Sequence, residues 1–452
     1  MRSARLSIAL LCLAGLAASS TTAAAAPAEP FFPRAGDRGY DALGYHVKLA
    51  FIPKDGSIRA TTVLTAVALQ PLDRFSLDLF GLEVDQVAVG GRSAPFERDE
   101  GRRKLWVLPR EAIEAGERFR VAVGYRGTPR TLVESDNSLS GWIPTDDGAF
   151  VLGEPQGAAT WFPCNNLPAD KATFAFDLTL PRPLKAVANG HLTEIEGNGK
   201  RRRFSWVETN PMSPYLALLA IGRGRLIRDE VAGLPSWTFV DPRVEKGSRK
   251  ALAALPEILR FQSRLFGGYP FDAVGSVVDY APWLGYALET QSRPIYTEAP
   301  ERTLVVHETA HQWFGDSVGL KRWPDIWLNE GFATWTEWYY AERHGGRSAQ
   351  EIFRRLYRVP ASARELWEPP PARPGAPKNL FATSVYVRGA MALQALRQKI
   401  GTEPMLRVLR TWAVEHRHGS ADTREFIAHA EQVSGRQLDR LFQRWLFQRG
   451  KP

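Results

Sequence analysis

Cysteine is scarce in this 452-residue chain, which contains only Cys12 and Cys164. Cys12 lies in an N-terminal segment that has the pattern of a removable leader, so one thiol would remain and no internal disulfide could form. This scarcity excludes the small, disulfide-stapled folds common among secreted proteins. Cys164, in "WFPCNNLP", has no His-Asn partnership beside it. We therefore expect a buried, unreactive thiol rather than a nucleophile.

The chain also lacks a block of one charge and an apolar run long enough to cross a bilayer. Its formal net charge is +9, but the arginines are scattered and no recognition motif accompanies them. These features argue against a nucleic-acid-binding protein. The apolar run Leu6–Ala18 is too short for a membrane span. At 452 residues, the chain is long enough for two or three packed domains, and its 44% hydrophobic residues can form their cores.

Residues 1–26 have the organisation of a secretory signal peptide. Arg2 and Arg5 precede the apolar run, and small residues follow it as far as Ala26. We expect cleavage near Ala26, with Ala28 the next possibility, and export to the periplasm or the cell exterior. A lipoprotein signal is disfavoured because Cys12 lies inside the apolar run, with no small residue before it.

Period-two alternation of apolar residues marks the first half of the chain, from about Gly44 to Ile221. This alternation predicts strands with one buried face. Turn signals such as "KDG" and "EGNGK" separate the strands. We therefore expect an N-terminal domain over residues 27–225, built of antiparallel sheets packed face to face. The clearest alternating stretches are 45–51, 75–79, 119–125 and 174–180.

Helical spacing dominates the second half. It begins with "SRKALAALPEILRFQSRLFG", where leucines recur every three to four residues and Gly267 is a stop signal. Short strand-like pieces, "VGSVVDY" and "RPIYT", follow, and the Pro-rich loop "WEPPPARPGAPKN" interrupts the later helices. The pattern predicts a mostly α-helical domain over residues 226–452, so the fold class is α+β with more than one domain.

The segment "HETAHQWFGD" combines two histidines with a glutamate. In a helix, His307 and His311 lie one turn apart on the same face, so their imidazoles could bind one metal ion. Glu308 lies beside them, and Glu330 in "WLNEGFA" follows after eighteen intervening residues. A surface helix with paired histidines is the alternative. The apolar neighbours in "VVHETAHQWF" argue against it, because burying unpartnered imidazoles and a carboxylate is costly.

These motifs resemble the aminopeptidase N and leukotriene hydrolase family of zinc gluzincins. That family combines H-E-x-x-H with a glutamate in N-E-G-F-A at this spacing. The resemblance continues through "FPC…DKATF" and "YVRGA". It implies a β-sheet N-terminal domain, a thermolysin-like catalytic domain and one Zn²⁺ ion on His307, His311 and Glu330. The chain ends at "RWLFQRGKP", so we expect no large C-terminal helical domain.

The resemblance also implies roles for four further residues. Glu308 would be the catalytic base, and Tyr386 would donate a hydrogen bond to the oxyanion. Glu289 and Glu154 would bind the free α-amine of the substrate. The family's G-A-M-E-N motif is "YALET" here, so the positions that depart from it are Tyr286, Leu288 and Thr290.

The expected function is a zinc-dependent aminopeptidase that removes N-terminal residues from peptides. Glu337, seven residues beyond Glu330, could support the metal site or be only structural. A zinc endopeptidase would use the same helices but be indifferent to Glu289. A non-catalytic peptide-binding protein on the same scaffold is the third possibility. An epoxide hydrolase is suggested by family analogy alone.

Overall fold

The computed structural model describes residues 29–197 and 199–452. The predicted signal peptide therefore lies outside the described residues. The strands are β1 (Tyr40–Ile52), β2 (Ser57–Ala68), β3 (Phe75–Asp78), β4 (Glu83–Val89), β5 (Arg92–Ser93), β6 (Phe96–Asp99), β7 (Lys104–Val107), β8 (Arg118–Gly127), β9 (Thr131–Val133), β10 (Leu139–Pro144), β11 (Ala149–Leu152), β12 (Ala172–Pro181), β13 (Lys185–Ala188), β14 (His191–Glu196), β15 (Arg201–Met212), β16 (Leu219–Gly222), β17 (Arg225–Val231), β18 (Leu234–Val240), β19 (Val274–Val278), β20 (Ala287–Leu288), β21 (Ile295–Tyr296), β22 (Gly319–Leu320) and β23 (Ser420–Ala421). The helices are α1 (Pro242–Leu252), α2 (Leu255–Phe266), α3 (Arg302–His311), α4 (Trp327–Arg343), α5 (Ala349–Tyr357), α6 (Arg364–Trp367), α7 (Thr383–Ile400), α8 (Thr402–Glu415), α9 (Thr423–Ser434) and α10 (Asp439–Phe442), followed by a π-helical turn, Gln443–Phe447.

An eight-stranded sheet in the order β14-β15-β12-β1-β2-β8-β4-β5 dominates the first half. The predicted alternation is confirmed in its central strands, where Val47, Val121 and Leu178 are fully buried and their chain neighbours face outward. One detail of the prediction is wrong, because β1 and β12 are parallel. The chain reaches β12 only after building β9 to β11, and it then runs beside β1 in the same direction.

Two smaller sheets complete this half, in the orders β13-β16-β11-β10-β9 and β3-β7-β6. Their buried residues pack with the inner face of the large sheet in one hydrophobic core. Cys164 is fully buried in this core, where its backbone forms a bridge to Asp78. The predicted buried thiol is therefore confirmed, and burial raises the pKa of the Cys164 thiol well above its usual range.

The second half begins with a five-stranded mixed sheet, β17-β18-β19-β21-β20, and continues mainly as helices. The predicted helical stretch around residues 248–267 is divided into α1 and α2, because Pro256 occupies the first turn of α2. Gly267 ends α2 with a positive φ of 97°, as the stop signal predicted. Helix α4 packs between α3 and α7.

The two halves contact each other through a buried arginine. The Arg293 guanidinium donates to the backbone oxygens of Ala188 and Gly190 in the first half and of Trp237 in the second. This arrangement fixes the segment after β20, which borders the functional site. Of the helices in residues 29–197 and 199–452, none has the length and apolar character needed to span a bilayer.

Candidate active site

Helices α3 and α4 bring two histidines and a glutamate together in the core. The Nε2 atoms of His307 and His311 lie 3.3 and 3.4 Å from the same oxygen, Oε2 of Glu330. Four ligands bound tetrahedrally at about 2.0–2.1 Å from one ion are about 3.3–3.4 Å apart. Both distances to Glu330 therefore fit one tetrahedral metal ion, and all three donor atoms lie within 4.8 Å of one another.

Both imidazole rings are held by hydrogen bonds on their other nitrogen. His307 Nδ1 lies 2.6 Å from Glu337 Oε1, and His311 Nδ1 lies 3.1 Å from the carbonyl oxygen of Phe314. Carboxylate and carbonyl oxygens only accept, so Nδ1 carries the proton in each ring and Nε2 faces Glu330. The sequence did not decide whether Glu337 supports the metal site or is only structural. Its contact with Nδ1 shows that it orients a histidine of the cluster.

The residues of the cluster are buried and shift one another's pKa values. His311 is 1% exposed and Glu330 is 4% exposed. Burial disfavours charge on both residues, yet the nearby histidines lower the pKa of Glu330 to about 2. Burial is likewise outweighed at His311, where Glu330 and Glu289 raise the pKa to about 9. Two imidazole nitrogens and one carboxylate oxygen form a ligand set typical of catalytic zinc sites.

Glu308 lies next to this cluster with its carboxyl group in the same buried space. Burial raises the pKa of Glu308 to about 7, and the charges of both histidines oppose that rise. A divalent cation at the cluster would lower this pKa further. The carboxylates of Glu308 and Glu289 also lie within 4.8 Å of each other and of a ring nitrogen of His311.

A cavity of about 500 Å³ opens onto this group. All seven residues that the sequence predicted for the site line it, although they come from widely separated segments of both halves. They are Glu154, Glu289, His307, Glu308, His311, Glu330 and Tyr386. The Tyr386 ring lies nearly parallel to that of His307, with 6.2 Å between the ring centroids.

Within residues 29–197 and 199–452, one buried carboxylate oxygen of Glu154 and one of Glu289 have no hydrogen-bond partner. Glu289 is only 3% exposed. Burial raises the pKa of both carboxyl groups, and repulsion from Glu289 raises that of Glu154 further. The ionised form of both groups is therefore costly in this enclosed space, and a cation bound between them would stabilise it.

Gln312 positions the Glu289 segment, a role that the sequence reasoning missed. Its Nε2 donates to the Glu289 carbonyl over 2.9 Å, and its Oε1 accepts from the Ser292 N–H over 2.8 Å. The polar glutamine beside the apolar "WF" was the available signal. The departures in "YALET" also have structural partners, because Tyr286 donates to the Leu139 carbonyl and Thr290 donates to the Arg293 carbonyl.

Two family models match the chain in order. The Peptidase M1 N-terminal domain matches residues 42–216, and the Peptidase family M1 domain matches residues 287–445. The second match includes the metal-type cluster, which consists of His307, His311 and Glu330. It also includes Glu308 and Tyr386.

Curated relatives that are named as aminopeptidases agree with these matches. "Probable aminopeptidase 2" of Sulfurisphaera tokodaii is 25% identical over 404 residues, which is 83% of this chain and 50% of the relative. Aminopeptidase N of Acetobacter pasteurianus is 33% identical over 199 residues, which is 40% of this chain and 56% of the relative. The chain thus spans about half the length of these curated relatives.

A solved structure covers nearly the whole chain. It is a mutant of the M1 zinc metallopeptidase from Deinococcus radiodurans, bound to a Tyr-Ser-Ala substrate. It has a TM-score of 0.85 and 27% sequence identity, and the match covers 94% of this chain and 98% of that one. With both domain models matched in order and this agreement in fold, the chain belongs to peptidase family M1.

Proposed function

We propose that this protein is a zinc-dependent aminopeptidase that removes N-terminal residues from peptides. One observation carries the proposal: Glu154 and Glu289 present unpartnered carboxylate oxygens in the cavity that also holds the metal-type cluster. A peptide with a free N-terminus supplies an ammonium group that would satisfy both carboxylates. The aminopeptidase names of the relatives and the peptide in the Deinococcus radiodurans neighbour support this choice.

The metal in this proposal is one Zn²⁺ ion, held by His307, His311 and Glu330. The donor spacing fits tetrahedral coordination, and three protein ligands leave one position open. Zinc bound there would act as a Lewis acid that lowers the pKa of water and polarises a carbonyl group.

The protein groups around the metal would then divide the remaining work. Glu308 would accept a proton from the attacking water and deliver it to the leaving amine, because its carboxyl group lies beside the metal ligands in the same cavity. The Tyr386 phenol would donate a hydrogen bond to the developing oxyanion, and burial keeps that phenol protonated because it raises its pKa. Glu154 and Glu289 would hold the amine so that only the first peptide bond reaches the reacting groups.

An endopeptidase is the nearest rival, because it would use the same two helices. Its substrates have no ammonium group at the cleavage site, so Glu154 and Glu289 would stay buried without a cation. A non-catalytic peptide-binding protein would need no base, yet Glu308 lies beside the cluster. The unpartnered carboxylates therefore favour the aminopeptidase.

The test is hydrolysis of aminoacyl chromogenic amides and their N-acetylated counterparts, with and without a chelator. We expect cleavage of the free-amine set alone, and its loss in the chelator. Cleavage of the acetylated set would instead indicate an endopeptidase. No cleavage by zinc-loaded protein that still binds peptides would indicate a binding protein.

We also propose, from the sequence, that residues 1–26 direct export to the periplasm or the cell exterior. N-terminal sequencing of the exported protein would test the cleavage site. We further propose a domain boundary near residue 225, between the strands β16 and β17. Limited proteolysis that leaves fragments ending near this position would support it.

A further inference from the structure

The active-site cavity is acidic beyond the needs of the proposed reaction. Among the described residues that line it, six are carboxylates and none is lysine or arginine. Five of the six have a role or a partner, namely Glu330 in the metal cluster, Glu337 on His307, Glu308 as the base, and Glu154 and Glu289 for the ammonium group. Asp136 is the sixth, and the reaction as described does not use it.

Asp136 lies in the turn that joins β9 to β10, and its carboxylate is held at one oxygen only. Oδ1 accepts hydrogen bonds from Ser138, over 3.0 Å from the backbone N–H and 2.7 Å from the hydroxyl. Within the described part of the chain, no hydrogen bond or ion pair reaches Oδ2. The turn itself is closed by a hydrogen bond from the Glu134 N–H to the Ser138 carbonyl. The carboxylate is therefore fixed in place with one oxygen free.

The turn is also anchored beside the amine-binding carboxylates. Tyr286 donates a hydrogen bond across the cavity wall to the carbonyl of Leu139, the first residue of β10. Burial raises the pKa of Tyr286, and the charges of Glu154, Glu134 and Asp136 raise it further. Asp136, Glu154 and Tyr286 all line the same cavity. The side chain nearest to an ammonium held by Glu154 is that of the substrate's N-terminal residue.

The remaining wall suits the stem of a long side chain. It is formed by the apolar parts of Tyr286, Ala287, Leu304, Phe381 and Val387. Lysine and arginine bury their methylene stems along apolar surface while the charged end meets a carboxylate. We propose that Asp136 is a specificity-determining residue that favours substrates whose N-terminal residue is lysine or arginine. This inference rests on the proposed aminopeptidase function.

Lysine and norleucine amides provide the matched pair for a test, because their stems are alike and only lysine carries a charge. With zinc-loaded full-length protein, we expect kcat/KM to be about tenfold higher for lysine than for norleucine. Asp136→Asn retains an oxygen to accept from Ser138 but removes the charge. This variant should lower kcat/KM for lysine about tenfold and change that for norleucine less than twofold. Glu111→Gln, which removes a carboxylate whose side chain is 86% exposed outside the cavity, should leave the ratio unchanged.

An equal lysine-to-norleucine ratio in the wild type and in Asp136→Asn would overturn the inference. Calorimetric binding of L-lysine and L-norleucine provides a readout that does not depend on turnover. If no amide were cleaved, the proposed function would fail on its own. Recognition of a basic side chain by Asp136 would still be supported if Asp136→Asn weakened lysine binding about tenfold and left norleucine binding intact. It would be contradicted if both amino acids bound the variant as they bind the wild type.

Discussion

At the end of β19, Asp279 is buried at 2% exposure, and the one hydrogen bond its carboxylate makes within the described chain comes from the Tyr280 N–H. Burial raises the pKa of this carboxyl group from 3.8 to about 7, and the charge of Asp241 adds to the rise. The folded protein therefore binds a proton at Asp279 that the unfolded chain releases between about pH 4 and pH 7. By linkage, the free energy of unfolding falls as pH rises through this range.

Asp279→Asn should therefore stabilise the protein at pH 8 and have much less effect at pH 5. One pKa unit corresponds to about 1.4 kcal/mol, so a shift from 3.8 to about 7 sets an upper limit of about 4 kcal/mol at pH 8. The asparagine oxygen can still accept from the Tyr280 N–H. Thermal unfolding at both pH values checks this prediction. A difference between variant and wild type that does not change with pH would contradict it.

The metal-type cluster is the part of the site that single residues predict best. A spacing of four along a helix puts His307 and His311 on one face whatever the rest of the chain does. The partner of His307 Nδ1, by contrast, depends on how α3 and α4 cross. The role of Glu337 could therefore not be predicted from the sequence. Gln312 was missed for the same reason, because its two partners lie in a loop that precedes α3.

Two glycines let helices α4 and α7 approach each other closely. A Cβ atom on Gly331 would lie 3.0 and 3.1 Å from the backbone of Gly389, and one on Gly389 would lie 3.1 Å from Gly331. Glycine inside a helix costs about 1 kcal/mol relative to alanine, so this contact needs a compensating benefit. The close approach of the helices would bring Glu330 near Tyr386, because Glu330 precedes Gly331 and Tyr386 lies one turn before Gly389.

Gly331→Val should push α4 away from α7 and lower the free energy of unfolding by about 1–3 kcal/mol. It should also reduce kcat, because Glu330 and Tyr386 would move apart. Gly268→Val is the matched control, since a Cβ there meets no atom within 4 Å. Urea unfolding and amide hydrolysis measure both effects. Equal stability of the two variants would show that the helices tolerate the wider spacing.

Elements with a clear period were predictable, and short or mixed ones were not. The central strands β1, β8 and β12 have one buried face, so their alternation was visible in the sequence. Strand β17 was missed because it is largely exposed and lacks an alternating apolar face. Strand β18 was missed because its buried residues come in adjacent pairs and do not alternate. The parallel pairing of β1 with β12 depends on a connection of more than one hundred residues, which local pattern does not reveal.

At the scale of the whole molecule, the proposed zinc ion would join α3 to α4 in the interior. A ligand that binds only the folded state stabilises it, by about 4 kcal/mol when its free concentration is a thousand times Kd. Adding a chelator should therefore lower Tm in differential scanning calorimetry, and added zinc should restore it. His311→Ala should remove this dependence on zinc. A wild-type Tm that changes neither with the chelator nor with added zinc would contradict a metal site on these helices.

The cavity could be predicted only in part, because it is assembled from distant segments. The family resemblance indicated Glu154, Glu289 and Tyr386, and the structure brings all three to the cavity. Asp136 belongs to a turn whose sequence carries no such signal. It reaches the cavity because Tyr286 ties the strand after that turn to the neighbouring segment, a contact between residues 147 positions apart.

In the proposed reaction, Glu308 moves the proton and zinc is required. The most direct test is the turnover of a leucine amide by Glu308→Gln that retains one zinc ion per chain. We expect kcat to fall about a thousandfold while zinc remains bound, because removal of a general base costs about 10² to 10⁴ in rate. Near-normal turnover by the zinc-loaded variant would contradict it.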